Sequence, residues 1–462
     1  MLTKKQVEEL DLEKIKRIHF IGITSPRNAF CAEILIKSGK KVTASQYPYA
    51  GEKKQRQPWE KQGILCPGGH DEKNVDQNID LIVYPNAPIP GNPECEKAEK
   101  LKIPAITIGQ LTGILSQKFK TIAIAGTQGK TTTTGMIVWM IDRILGRPNF
   151  LIGDANDKIL VVGKNWQISK QTPFLVLEAC EYKKQFLDRA PSPYISVITN
   201  LGLDHTDFFK TQKNYNDAFA EFILNTRFSL VIDTKAKNER KILAKVSSQL
   251  KSKGIKIIDV SGFEQQIQNL KLKVPGKHNL ENAKRAIGAG LAIGLPLAKI
   301  IKALATFQGV SSRFEFLGKT KKNNPVYRDY AHNPEKIAAC ISSAKEAHPG
   351  KKVLLVFQPH NFERSYTFRN EFGQAVKNAD FVLIPNIYSA RESEEDRNLI
   401  SEEGFAAVLR KYNPGKIIKL TGSFKNTAKE IAAIESGNQN LAIVLASAGD
   451  LGKIVPLLHL KK

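Results

Sequence analysis

One segment limits the fold of this chain more than any other. Residues 122–140 read IAIAGTQGKTTTTGMIVWM: an apolar strand, a Gly-Thr-Gln-Gly-Lys-Thr turn and an apolar helix. A phosphate cradle needs this order. Glycines free the backbone N–H groups, the helix N-terminus favours an anion, a lysine meets the phosphates and a hydroxyl meets Mg²⁺. Gly126, Gly129, Lys130 and Thr131 supply these parts, with Thr127, Gln128 and Thr132 between and beside them. The strict pattern has a further glycine where Ile124 stands, so the loop is a variant form.

The flanking sequence repeats the α/β rhythm. KRIHFIGI, KVTAS, DLIVYP and PAITIG read as strands, and AFCAEILIKSG as a helix closed by glycine. FLVLEACE and YISVITNLGLDH are strands with polar C-terminal ends, and KVPGKHNLENAKRAIGAGLAIG is a loop entering a helix. RFEFLG, PVYRDYAHNP, KKVLLVFQPH, ADFVLIPNIYSARE and LAIVLASAGDLG continue the alternation. Such alternation predicts parallel sheets, which bind ligands at the carboxyl ends of their strands. The 462 residues exceed one core and divide at 1–115, 116–306 and 307–462.

Composition removes several function classes. The net charge is +24, but the lysines are scattered as KK pairs without a long run or aromatic interleaving. That favours a generally lysine-rich surface and small anionic ligands over nucleic acid. Five cysteines without a CxxC pair give neither a disulfide framework nor a structural zinc site. No signal-peptide core and no membrane-length apolar run is present, so a cytoplasmic protein without membrane insertion is expected.

Side chains at strand ends are the candidates for chemistry. Glu178 and Glu181 in LEACE, and Asp204, His205 and Asp207 in LGLDHTD, suit Mg²⁺ near a triphosphate, or solvated loops and caps. Asn279 and Asn282 lie near a helix start, where capping competes with reading an adenine edge. Arg313, Asp329, His332, His360 and Arg364 sit at element ends farther along, where arginines either clamp phosphoryl and carboxylate groups or form surface ion pairs.

Taken in order, AGTQGKTTTTGM, LEACE, TNLGLDHTD, PGKHNLENA, FQGVSSRFEFLG, DYAHNPEKI, FQPHNFERS and IYSARE give a chain that resembles the Mur ligases over nearly its whole length. The resemblance implies three α/β domains, each a mostly parallel sheet with helices: a Rossmann-like N-terminal domain, a P-loop central ATPase domain and a Rossmann-like C-terminal domain. It implies an ATP- and Mg²⁺-dependent carboxylate–amine ligase of peptidoglycan precursor synthesis, working through an acyl phosphate. The chain is most similar to the branch that joins L-alanine to UDP-N-acetylmuramate. Alternatives are the branch that recycles a tripeptide and a divergent homologue that binds nucleotide without ligating.

By that resemblance Lys130 meets the transferring phosphate, Thr131 and Glu178 hold one Mg²⁺ and His205 a second. His278, Asn279, Asn282, Arg313 and Asp329 contact ATP, Tyr330 and His332 lie near the reacting groups, and His360, Arg364 and Arg391 face the amino acid. Gly22 belongs to the UDP-substrate loop. The chain departs from the family pattern at Gln128 for histidine, Cys180 for aspartate, Arg328 for the first aspartate of DDY, and Asn361 for arginine. GITSPRNAF keeps only Gly22 of a glycine-rich loop, and Gln46 replaces an aspartate. There Pro26 suits a first helical turn, Ser25 a cap, and Arg27 a direct phosphate contact.

Overall fold

The computed structural model describes all residues except 48–51, 86–88, 154–157, 161, 206–207, 269, 390–391, 439 and 462. Among the sequence candidates, Asp207 and Arg391 lie outside the described residues.

Three sheets carry the chain. The first joins β1 (Arg17–Ile21), β2 (Lys41–Ser45), β3 (Leu81–Tyr84) and β4 (Ala105–Thr107) in the order β2-β1-β3-β4, all parallel. The second contains β5 (Lys120–Ala125), β6 (Asn149–Leu151), β7 (Trp166–Gln167), β8 (Phe174–Glu178), β9 (Ile195–Ile198), β10 (Ser229–Ile232) and β11 (Lys256–Asp259). Its order is β11-β10-β9-β5-β8-β6-β7, with only the β6–β7 pairing antiparallel.

The third contains β12 (Glu315–Lys319), β13 (Pro325–Asp329), β14 (Lys352–Gln358), β15 (Phe381–Ile384), β16 (Ile417–Leu420) and β17 (Leu441–Ser447). Its order is β12-β13-β17-β14-β15-β16, parallel except at β12–β13. By compactness the chain forms two units. One is Met1–Lys271 with Glu281–Phe307, and the other is Leu272–Leu280 with Gln308–Lys462.

The apolar runs explain the parallel sheets. Helical crossovers cover both faces of such a sheet, so its strands are buried throughout rather than on alternate residues. β9, β10 and β15 are buried over their whole length. In the first unit, Phe186, Phe219 and Phe222 pack with ring centroids 4.8 to 5.0 Å apart, and Trp139 donates its indole N–H to the Ala303 carbonyl at 3.0 Å.

The order of the strands sets the position of the sites. β1 lies between β2 and β3, and β5 between β9 and β8, so a crevice opens at the C-terminal end of each. Gly22 follows β1 and the Gly126–Gly129 loop follows β5.

The N-terminal domain also buries a polar hub. Glu94, fully buried, accepts from Ser45 Oγ at 2.5 Å and Asn74 Nδ2 at 2.6 Å, with His70 Nδ1 at 3.0 Å and His19 Nε2 at 3.7 Å. It ties β1, β2 and the helix Pro93–Lys100 together across distant sequence.

Candidate active site

The phosphate loop is held by its neighbour β9. After that strand, Asn200 accepts the Gln128 N–H through Oδ1 at 2.9 Å, and its backbone carbonyl accepts the Thr127 N–H at 3.0 Å. Thr127 Oγ1 donates to the Gly202 carbonyl at 2.6 Å and lies 2.9 Å from the Tyr215 hydroxyl. Two glycines are required by geometry. Gly126 has φ +142°, and an added Cβ would run into Thr199 and Asn200. Gly129, with φ +80°, precedes the helix Lys130–Ile144, and an added Cβ would run into the Asn282 side-chain oxygen. Asn282 thus stands against the loop rather than at a helix cap.

Lys130 folds back over its own loop. Its ammonium donates to the Gly126 carbonyl at 2.5 Å and the Thr127 carbonyl at 3.1 Å, and lies 2.9 Å from Glu181 Oε2. Burial opposes its charge, but the Glu181 and Glu178 carboxylates outweigh burial and hold its pKa above the ordinary lysine value. The sequence named Glu181 only as one carboxylate at a strand end. Its part as the lysine's partner depends on β8 lying beside β5.

The carboxylates fall into two groups. Thr131 Oγ1 donates to Glu178 Oε1 at 3.1 Å, and the Gly153 N–H donates to Glu178 Oε2 at 2.9 Å. Glu181, Asp204 and His205 present ligand atoms all within 4.8 Å of one another. His205 has left-handed backbone, φ +53°, which turns it toward Glu181, with Nε2 at 3.7 Å from Oε1, and against the Tyr182 ring at 4.6 Å. The two carboxylates, one buried and one half-buried, supply the oxygen donors a hard divalent cation such as Mg²⁺ takes, with the His205 imidazole beside them. The structure sets Glu178 with Thr131, and sets His205 with Glu181 and Asp204. Thr132 is buried within the helix. Cys180 is a free, half-buried thiol between the two glutamates.

The second unit carries the remaining candidates. Asp329 ends β13 and accepts the Phe314 N–H at 2.8 Å. Burial raises its carboxyl to about 6 against the opposing pull of Arg313. Rings follow one another from there. The Arg313 guanidinium lies 4.9 Å over Tyr330, Tyr330 is 5.1 Å from His332, His332 is 6.3 Å from His360, and His360 is 5.6 Å from Tyr388. Burial and the charge of Lys336 keep the His332 pKa well below the ordinary histidine value. Burial and Arg364 lower that of His360.

His332 Nδ1 lies 3.0 Å from the Tyr330 carbonyl, which can only accept. We therefore assign the proton to Nδ1, leaving Nε2 with its lone pair. Arg364 lies in the short helix Phe362–Thr367 after β14. His278 is exposed at the surface, although its loss of hydration lowers its pKa, and Asn279 Nδ2 donates to the Pro275 carbonyl at 2.6 Å, a backbone tie at the helix start.

Arg328 and Gln46, two of the residues that set this chain apart in the sequence, each have close partners in the structure. Arg328 pairs directly across the antiparallel β12–β13 register with Glu315, Nη2 to Oε2 at 2.6 Å. In the N-terminal domain Gln46 Oε1 accepts the Ile23 N–H and the Thr24 N–H, each at 3.2 Å, and the Thr24 hydroxyl at 2.9 Å. Gly22, φ +88°, turns the chain here, and Ser25 caps the helix Pro26–Lys37 by accepting the Asn28 N–H.

Comparison with known proteins decides the family. The Mur ligase family catalytic domain matches residues 17–120, the Mur ligase middle domain 124–290, and the Mur ligase glutamate ligase domain 312–449. This chain belongs to the Mur ligase family. The UDP-N-acetylmuramate–L-alanine ligase of Clostridium kluyveri is 34% identical over 83% of this chain and 86% of its own length. That of Clostridium botulinum is 32% identical over 96% and 97%. Among solved structures, the UDP-N-acetylmuramate-alanine ligase of Thermotoga maritima superposes with a TM-score of 0.71 at 24% identity, over 96% of this Mur ligase and 98% of that chain. A murein peptide ligase of Psychrobacter arcticus gives 0.57 at 21%, over 96% and 98%. These two structures share the three-domain α/β fold. No helix of this Mur ligase, among the described residues, is long and apolar enough to cross a membrane.

Proposed function

We propose that this Mur ligase joins L-alanine to UDP-N-acetylmuramate in peptidoglycan precursor synthesis, in the cytoplasm, with domains at 1–115, 116–306 and 307–462. The observation that carries this reading is the Lys130–Glu181 pair beneath a glycine loop, in a chain 34% identical to a ligase of that name. ATP, when bound, supplies the phosphoryl group that turns the acceptor carboxylate into an acyl phosphate. The residues do the rest by position and charge.

The Gly126–Gly129 loop and Lys130 receive phosphate oxygens. We assign Mg²⁺ to Thr131, Glu178 and His205, and add Glu181 and Asp204 because they cluster with His205. Arg313, Asp329, His278, Asn279 and Asn282 are assigned to the nucleotide. His332 Nε2, kept neutral by burial and Lys336, offers its lone pair as a hydrogen-bond acceptor that orients the incoming amine. His360 and Arg364 are assigned to the amino-acid carboxylate, which the guanidinium can grip with two parallel bonds.

The test is phosphate release by the purified protein with Mg-ATP and UDP-N-acetylmuramate, with L-alanine in one series and the cell-wall tripeptide in another. Release that needs L-alanine, and vanishes in Lys130→Ala, supports the reading. Release only with the tripeptide moves the chain to the recycling branch. Binding of ATP without release in either series makes it a divergent homologue, an outcome favoured by one observation: Gln46 occupies the loop amides of the UDP-substrate site.

A further inference from the structure

An open groove of ≈ 730 Å³ lies wholly within the second unit and contains none of the residues assigned above. It runs along the start of β13, at Pro325 and Tyr327, whereas Asp329 closes the strand's other end. Its floor is aromatic. Phe314 stacks on Tyr327 at 4.2 Å with planes 14° apart, and Phe316, 50% exposed, sets its ring 5.5 Å from the same tyrosine.

Phe314 has φ +47°, a left-handed conformation that a bulky residue adopts only where its surroundings impose it. Lys273, Lys319 and Lys351 rim the groove, and no aspartate or glutamate lines it among the described residues. His348, at its edge, meets the Tyr327 hydroxyl at 2.8 Å through Nε2. After burial, Lys351 and Lys319 are what lower its pKa, since both lysines face this edge of the groove.

We propose that this groove binds a planar aromatic monophosphate of the nucleotide class, its base on the exposed Phe316 ring, which Tyr327 and Phe314 support from behind, and its phosphate among the lysines. Stacking accepts any flat base, and lysine ammoniums act as point charges for phosphate. The volume falls within the span of small-ligand sites, about 300–1,000 Å³. The apolar floor distinguishes the groove from a merely basic surface, because an exposed aromatic face gives a bare anion nothing. An occupant pressing on Phe314 acts one bond from Asp329, which accepts the Phe314 N–H.

The probe is 5-bromouridine 5′-monophosphate, cross-linked to the full-length protein by ultraviolet light and located by peptide mapping. The expected result is a cross-link in the 308–327 peptide. Its yield should fall tenfold or more in Lys273→Ala/Lys351→Ala and several-fold in Phe316→Ala, while cross-links elsewhere are unchanged. Uridine and inorganic phosphate should each compete far less well than uridine 5′-monophosphate.

Cross-links confined to other peptides, or an undiminished yield in the double-lysine variant, would overturn the site. Competition by inorganic phosphate as strong as by the nucleotide would overturn the ligand class. Lys130→Ala should leave this cross-link intact, so the groove stands or falls separately from the ligase reading.

Discussion

The Lys130 ammonium lies 2.9 Å from Glu181 Oε2, with the carboxylate side chain 1% exposed. Removing one member of a buried pair leaves the other charge uncompensated, which costs about 3–5 kcal/mol. Lys130→Ala should therefore abolish phosphate release and also destabilise the protein by about 3 kcal/mol, since His205 at 3.7 Å is too distant to replace the ammonium. Lys130→Ala/Glu181→Gln should regain most of that stability in urea titrations and none of the activity. Turnover surviving in Lys130→Ala would sink the assignment.

Gly129 and Asn282 are sterically coupled. Gly129→Ala puts a Cβ on a left-handed residue, at about 1–2 kcal/mol, and adds a collision with the Asn282 oxygen. In a double-mutant cycle, Gly129→Ala/Asn282→Ala should be less destabilised than the sum of its parts by about 1 kcal/mol. Strict additivity would show that the two do not touch in solution.

Asp329 sets a stability slope opposite to that of an ordinary ion-paired carboxylate. Its folded pKa, raised to about 6, exceeds its unfolded value, so the folded state binds the proton more tightly. Its contribution is full below about pH 4 and is lost as pH rises through about 6. The loss is at most about 3 kcal/mol, and less in practice because the carboxyl is only half-buried. Urea midpoints of wild type and Asp329→Asn, compared from pH 4 to 7, should show the variant gaining relative stability as pH rises.

Glu94 acts in the other direction. Burial opposes its charge, but His19, His70, Ser45 and Asn74 outweigh burial and hold its pKa well below the carboxylate range. Its stabilisation is present above the unfolded carboxylate pKa and is lost as pH falls through the depressed folded one. Glu94→Gln should lower stability by about 2 kcal/mol at pH 7, and the gap to wild type should close in acid. A gap constant with pH would refute the charged hub.

Cys180 stands between Glu178 and Glu181 in the chain, where the resemblance to the Mur ligases implies an aspartate. Cys180→Asp adds one negative charge beside the proposed Mg²⁺ site. The Mg²⁺ concentration for half-maximal phosphate release should fall several-fold, with kcat moving less. An unchanged Mg²⁺ requirement would place Cys180 outside the metal's reach.

Local sequence determined a good part of this protein. The strand–loop–helix from Ile122 to Met140 is legible because a short apolar run, two glycines and an N-terminal lysine act on neighbours in the chain, and KVTAS forms a strand over those same residues, Lys41–Ser45. The ordered motifs placed it among the Mur ligases. Tertiary structure alone decided the partners. Glu181 meets Lys130 because β8 pairs with β5, Asn200 braces the loop because β9 pairs with its other edge, and Arg328 meets Glu315 because β12 runs antiparallel to β13. Gln46 reaches the Thr24 amide for the same kind of reason, since β2 lies beside β1. Periodicity and glycine placement act within a few residues and are written along the chain. Which carboxylate faces which cation depends on strand order and register, and those are set by the packing of the whole sheet.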